Sequence, residues 1–217
     1  MVKDNYERMY DTQSRYCYPG TNVLINKAGI MDNESLERVD RIQTTYILSK
    51  LHLSTIRGTF DIGHYKAIHK TLFNELYDFA GEFRTENISK DGIPFCRPEF
   101  IYRQLNVLLE QMKKQSYKIS SEEELLDFIA YFYSEINLVH PFREGNGRTL
   151  REFIREYVLE INKRINFGHY ELDFSMLSEN DKNMHILACE KSAINGDFKE
   201  LKNFFKTCLV KENQKQL

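Results

Sequence analysis

Apolar positions recur at three- and four-residue spacing over most of the chain, and that period predicts helices. Ile62, Tyr65, Ile68, Leu72, Leu76 and Phe79 make one stripe. Ile101, Leu105, Leu108 and Met112 make a second, behind Pro98. A third helix is announced by the capping box Ser121-x-x-Glu124. It carries Leu125, Ile129, Phe132, Ile136 and Val139 on one face and stops at His140-Pro141. Further helical patterns cover 147–163, 179–194 and 197–209, with another near Glu34 to Leu53. Residues 1–33 are polar and aromatic, punctuated by Tyr16-Cys17-Tyr18-Pro19-Gly20-Thr21-Asn22, and read as an arm packed on the core. Residues 34–210 then form a single domain, and 211–217 a solvated tail. The predicted fold class is all-α.

One segment breaks the helical period. In Asn87-Ile88-Ser89-Lys90-Asp91-Gly92-Ile93-Pro94-Phe95 an Asp-Gly pair joins two short strand-like runs, the usual signal for a two-residue hairpin. Pro94 has no N–H for a central ladder, so this strand belongs at an edge where an extended peptide can pair. A solvent-exposed connector with no duty is the alternative for the same residues.

Composition narrows the partners. With 30 Lys+Arg against 32 Asp+Glu the net charge is −2, which disfavours a general nucleic-acid binder. Ten Gly and four Pro in 217 residues compare with roughly 15 and 11 at average usage, favouring long helices over a β-sandwich. The four cysteines are far apart with no CxxC pair, and no apolar leader or membrane-length stretch occurs. A reduced, cytoplasmic protein with no membrane partner is the expectation; delivery into another cell by a specialised secretion system leaves no such trace.

Chemistry concentrates in His140-Pro141-Phe142-Arg143-Glu144-Gly145-Asn146-Gly147-Arg148-Thr149-Leu150-Arg151. Gly145 and Gly147 are the chain's one pair of glycines two apart, and a helical stripe starts directly after them. A glycine-rich loop opening onto a helix N-terminus offers free N–H groups and a positive dipole end to an anion. Arg148 and Arg151 lie one turn apart, where positive charge opposes the dipole and a bound polyanion would relieve the conflict. Glu144 is a hard oxygen ligand suited to Mg²⁺, and His140 is of the residue type whose ordinary pKa, near 6.5, suits a proton acceptor. Together these are the parts of phosphoryl or nucleotidyl transfer. GxxxxGK[ST] and a third dinucleotide-fold glycine are missing, as is Gly-x-Ser-x-Gly. A plain helix-loop-helix turn, with Arg148 paired to Glu152 and His140 as a cap, stays open. His64 and His69 lack HExxH spacing and read as surface or core histidines.

The twelve residues from His140 to Arg151 resemble the signature H-x-F-x-(D/E)-G-N-G-R-x-x-R of the Fic (Fic/Doc) family, with every defined position filled. Phe79-Ala80-Gly81, the hairpin and Gly196-Asp197 are similar to family features too. The resemblance implies a helical bundle with one small β-hairpin flap, and transfer of AMP from ATP to a Ser, Thr or Tyr hydroxyl of a target protein with release of pyrophosphate. It makes His140 the base and Glu144 the Mg²⁺ carboxylate, and lines the anion hole with the amides of Gly145, Asn146 and Gly147. It sets Arg148 and Arg151 on the β- and γ-phosphates, counts Arg143 and the Asn146 side chain with the nucleotide site, and anchors the loop through Phe142. Ser89, Lys90, Asp91, Gly92 and Ile93 would clamp the target. A catalytically silent nucleotide-binding module, or transfer of UMP, phosphocholine or phosphate, are the alternatives; Gly147 stands where the Doc-like kinases generally carry lysine.

Fic enzymes are commonly held off by an (S/T)xxxE(G/N) helix. Ser175-Met176-Leu177-Ser178-Glu179-Asn180 fits that pattern once, making Ser175 and Glu179 candidates for self-inhibition. The Tyr16-to-Thr21 arm is similar to Fic toxins restrained by a small antitoxin protein, which favours an inhibitory glutamate supplied by a partner.

Overall fold

The computed structural model describes residues 14–90, 92–175, 177 and 179–211, the side chains of 179, 180, 182 and 183 excepted. Asp91, Met176, Ser178 and most of the tail therefore lie outside the described residues. Among the described residues there are seven helices: α1 (Asn33–Leu53), α2 (Ile62–Phe73), α3 (Pro98–Ser116), α4 (Glu122–Val139), α5 (Asn146–Asn162), α6 (Glu179–Asn195) and α7 (Lys199–Cys208). The strands are β1 (Ser89–Lys90), β2 (Ile93–Pro94), β3 (Tyr170–Leu172) and β4 (Leu209–Lys211). The all-α prediction is borne out, with two small antiparallel pairs added. The chain groups into two compact units, 1–104 with 139–149, and 105–138 with 150–217.

In the first unit, α1 and α2 start on aspartates. Asp32 accepts from Ser35 N at 2.8 Å and Asp61 from His64 N at 2.9 Å, each satisfying a first-turn donor. The buried face of α2 is Ile62, Tyr65, Ile68, Leu72 and Phe73. The apolar period runs on to Leu76 and Phe79, but the helix ends at Phe73, whose carbonyl takes both Leu76 N (3.0 Å) and Tyr77 N (2.9 Å). Leu76 stays buried from the resulting turn, so the hydrophobic stripe outlasts the helix. β1 and β2 pair as the Asp-Gly signal predicts, Ser89 with Pro94 and Lys90 with Ile93, and Gly92 takes the positive φ of +77° that such a turn requires. Neither strand has a second neighbour among the described residues. The described part of the arm pairs Cys17 with Leu24 and is fastened through Ser14 and Arg15, both donating to Glu86 at 2.7 Å.

In the second unit, α4 begins as a modified capping box. Ser121 Oγ accepts from Glu124 N at 3.2 Å, while Glu124 reaches back one residue further than usual, to Ser120 N at 2.7 Å. Leu125, Ile129, Phe132 and Ile136 are fully buried, as are Phe153 and Ile161 of α5 and Leu201 and Phe205 of α7. β3 and β4 pair Leu172 with Leu209 and Tyr170 with Lys211, so Lys211 ends a strand. No helix among the described residues is long and apolar enough to cross a membrane.

Candidate active site

The segment 139–149 is built around its buried side chains. Phe142 is fully buried, with Tyr65 stacked on it at 5.6 Å and the His69 ring at 3.7 Å. This is the anchoring expected of Phe142. Asn146 then closes the loop: its Oδ1 accepts from Phe142 N and its Nδ2 donates to Phe142 O, both at 2.8 Å. The Asn146 side chain is thereby committed to the loop itself, and what it offers a ligand is its backbone N–H. Gly145 sits at φ +79°, and a Cβ there would lie 2.3 Å from the Phe73 ring, so the position demands glycine twice over. Its carbonyl accepts from Thr149 N at 3.0 Å, making Gly145 the cap of α5. The N–H groups of Asn146, Gly147 and Arg148 fall in the first turn, where a helix provides no acceptor of its own.

Glu144 is fixed at both ends. Its carbonyl accepts from His69 Nε2 at 2.9 Å, while His69 Nδ1 accepts from Gly81 N at 2.8 Å. That pair of bonds defines a neutral, Nε2-protonated ring, and burial lowers the His69 pKa to about 4. The Glu144 carboxylate, about a quarter exposed, accepts from Gly145 N at 2.8 Å and lies 3.4 Å from Arg148. An oxyanion therefore already fits the loop's first amide.

Arg148 does not pair with Glu152. Its guanidinium binds the Asp40 carboxylate of α1 with two nitrogens, reaches Thr44 Oγ1 at 3.2 Å, and lies over the Phe73 ring at 4.7 Å. Burial disfavours its charge, but Asp40 and Glu144 outweigh burial and the pKa is raised. Asp40 also accepts from Tyr77 OH at 3.2 Å. Arg143 is half-buried, with Nη2 3.9 Å from Cys17 Sγ. Arg151 belongs to the second unit, where its charge opposes the rise that burial causes in the pKa of the buried Tyr133 phenol.

His140 follows the last residue of α4 with φ +45°, a left-handed conformation that non-glycine residues seldom adopt. Only 7% of it is exposed, and Phe95, just past β2, stacks on its ring at 3.8 Å and 13°. Its carbonyl accepts from Arg84 Nε at 2.8 Å. Ser89 is buried, Lys90 and Ile93 half-buried and Gly92 exposed. Ser175 lies in a turn and α6 begins at Glu179, so the self-inhibition match is not contained in one helix.

Sequence reasoning passed over Asp40 and Arg84, gave His69 no part in the loop, and quoted Phe95 as the end of the hairpin without a role. No motif contains Asp40 or Arg84. A clue for Asp40 and Thr44 was their place on the inward face of α1 with Leu36 and Leu51. Among the described residues no group of three or more His, Cys, Asp or Glu could enclose a metal.

The family model described as Fic/DOC family matches residues 59–173. A probable protein adenylyltransferase, y4lH, of Sinorhizobium fredii is 34% identical over 163 residues, covering 74% of this chain and 80% of that protein. The protein adenylyltransferase VbhT of Bartonella schoenbuchensis is 38% identical over 158 residues, 72% of this chain but a third (33%) of the relative. In fold, the chain is similar to the crystal structure of BepC, a VirB-translocated effector of Bartonella tribocorum with bound AMPPNP. The TM-score is 0.80 at 22% identity, over 94% of this chain and 100% of that one. With more than half its length matched by the family model and a relative above 30% identity along most of both chains, this protein belongs to the Fic/DOC family.

Proposed function

We propose that the chain is a protein adenylyltransferase: it transfers AMP from ATP to a Ser, Thr or Tyr hydroxyl of a target protein and releases pyrophosphate. The observation that carries this reading is the loop from His140 to Arg148. There a rigid turn delivers a helix N-terminus, a carboxylate and an imidazole within nine residues. The relatives named protein adenylyltransferases support it.

In the proposed reaction the target hydroxyl oxygen attacks the α-phosphorus, and the bond from that phosphorus to the bridging oxygen of pyrophosphate breaks. A ring nitrogen of His140 takes the hydroxyl proton. The amides of Gly145, Asn146 and Gly147 hold the charge that develops on the α-phosphate oxygens. Arg148 and Arg151 face the departing phosphates, and Arg143 contributes positive charge beside the loop. Arg148 does so from a fixed position, because Asp40 holds it. The hairpin residues Ser89, Lys90, Asp91, Gly92 and Ile93 bind the target segment as an added strand.

Among the described residues no group of three or more His, Cys, Asp or Glu could enclose a metal, and the Glu144 carboxylate suits a Mg²⁺ that would take its other ligands from phosphates and water. When bound, the ion would neutralise phosphate charge. The proposal includes a small antitoxin partner supplying the inhibitory glutamate, supported by the likeness of the Tyr16-to-Thr21 arm to Fic toxins restrained in that way. It places the protein in the cytoplasm.

The test is transfer of label to protein from α-labelled ATP, with γ-labelled ATP and α-labelled UTP as comparators. Purified protein freed of any inhibitor should label itself or lysate proteins from α-labelled ATP, and His140→Ala should abolish it. No protein-bound α-label, or equal labelling by His140→Ala, overturns the reading.

A further inference from the structure

Arg84 is an arginine with almost no access to solvent, 2% exposed, in an irregular segment that no motif marks. Its guanidinium is a fork on backbone carbonyls. Nε donates to His140 O at 2.8 Å, Nη1 to Glu86 O at 2.7 Å, and Nη2 to Cys96 O and, at 3.3 Å, to Val139 O. Its backbone N–H adds Pro141 O at 2.9 Å. Glu86 precedes β1 and Cys96 follows β2, so the fork grips both legs of the hairpin together with the peptides on either side of His140. A second contact joins the same parts. Phe95, whose N–H donates to Ile88 O at 3.1 Å to extend the hairpin ladder, lays its ring flat on the His140 imidazole. His140 meanwhile sits at a φ of +45°, a strained conformation that its surroundings must impose.

We propose that Arg84 is a positioning residue that locks the strained His140 backbone to the base of the hairpin, so that the segment receiving the target strand and the proton acceptor move as one body. The role rests on the adenylyltransferase reading for its consequence in catalysis. A planar five-donor group is required: lysine keeps the charge but cannot span three separated chain segments.

The test uses the full chain with Arg84→Lys and Arg84→Gln. The ring signals of His140 and His185 are followed by NMR, amide exchange by mass spectrometry, and transfer kinetics alongside. His185 is a control in the second unit. In folded Arg84→Lys the His140 signal should shift, and hairpin amides from Ile88 to Phe95 should exchange about tenfold faster, while His185 and the amides of α7 are unmoved. Transfer should lose about 100-fold in kcat with KM for ATP within about twofold, the signature of misaimed rather than missing machinery. Arg84→Gln should do the same more strongly; if it fails to fold, Arg84→Lys alone decides. Unchanged His140 and hairpin behaviour in Arg84→Lys overturns the proposal, as does a uniform loosening that includes α7 and His185. If wild type transfers no AMP while His140 and the hairpin still respond together, the coupling stands and the adenylyltransferase reading falls.

Discussion

Two buried arginines show two ways of keeping a charge out of water. In the middle of α5, Arg155 is 1% exposed and meets carboxylates: Glu152 at 2.7 and 2.9 Å, and Glu171 at 3.8 Å. Burial disfavours its charge, but Glu152, Glu156 and Glu171 outweigh burial and its pKa is raised. Arg84 is buried as deeply and meets neutral carbonyl oxygens; burial wins, and its pKa falls to about 10. The first arrangement is a local ion pair three residues apart on one helix, and what it supports is the helix. The second joins segments up to 56 residues apart, and what it supports is the geometry of a loop. Charge against charge makes each partner's burial depend on the other, whereas charge against backbone gives shape.

The largest expected effect tests the first half of that contrast. Arg155→Met leaves Glu152, 2% exposed, without its counter-charge, and should cost about 3–5 kcal/mol in urea unfolding. Transfer per folded molecule should be unchanged. The double variant Arg155→Met, Glu152→Met should recover most of the loss, because the penalty lies in the stranded charge. A single variant as stable as wild type would show that the pair does not hold α5.

The loop region should instead be sensitive to acid through His69. The neutral ring with a folded pKa of about 4 cannot take up a proton that the unfolded chain accepts near 6.5. The unfolded state therefore binds more protons between those values. Stability is fully present above about pH 6.5 and declines as the pH falls toward 4, by about 3 kcal/mol at the lower limit. His69→Gln, measured by thermal melting across that window, should flatten the slope. Equal slopes in both proteins would mean that the ring takes up its proton as readily in the fold as in the unfolded chain, and that its two bonds are misassigned.

The same contrast explains what could be read from the chain alone. The helices were legible because each buries a stripe that repeats every turn, and the loop was legible because its parts are consecutive, from His140 to Arg151. Arg84 was not, since its partners are carbonyls, which no side-chain pattern encodes. His69 was read as surface or core when it is a buried ring that also sets the Glu144 backbone. The end of α2 was misjudged because Leu76 remains buried beyond the last helical residue. β3 and β4 escaped notice because each has three residues, too few for an alternation to show. Arg148 was placed correctly at the start of α5, yet its hold on Asp40 depends on a helix more than 100 residues earlier.

The smallest expected effect isolates a purely local device. At the start of α4, Ser121 Oγ satisfies Glu124 N, and Glu124 returns to Ser120; hydrogen bonding from Ser120 lowers the Glu124 pKa. Glu124 is exposed and Ser121 half-buried. Ser121→Ala removes one acceptor from a helix end whose other donors keep theirs, so about 1 kcal/mol of stability should go, read by chemical denaturation. Transfer should stay at the wild-type rate, with His140 and hairpin signals in place. A change in either would mean that the α4 cap is transmitted along the helix to the residue just beyond its far end. Local devices and loop-shaping contacts would then be parts of one system, against the separation that Arg155 and Arg84 display.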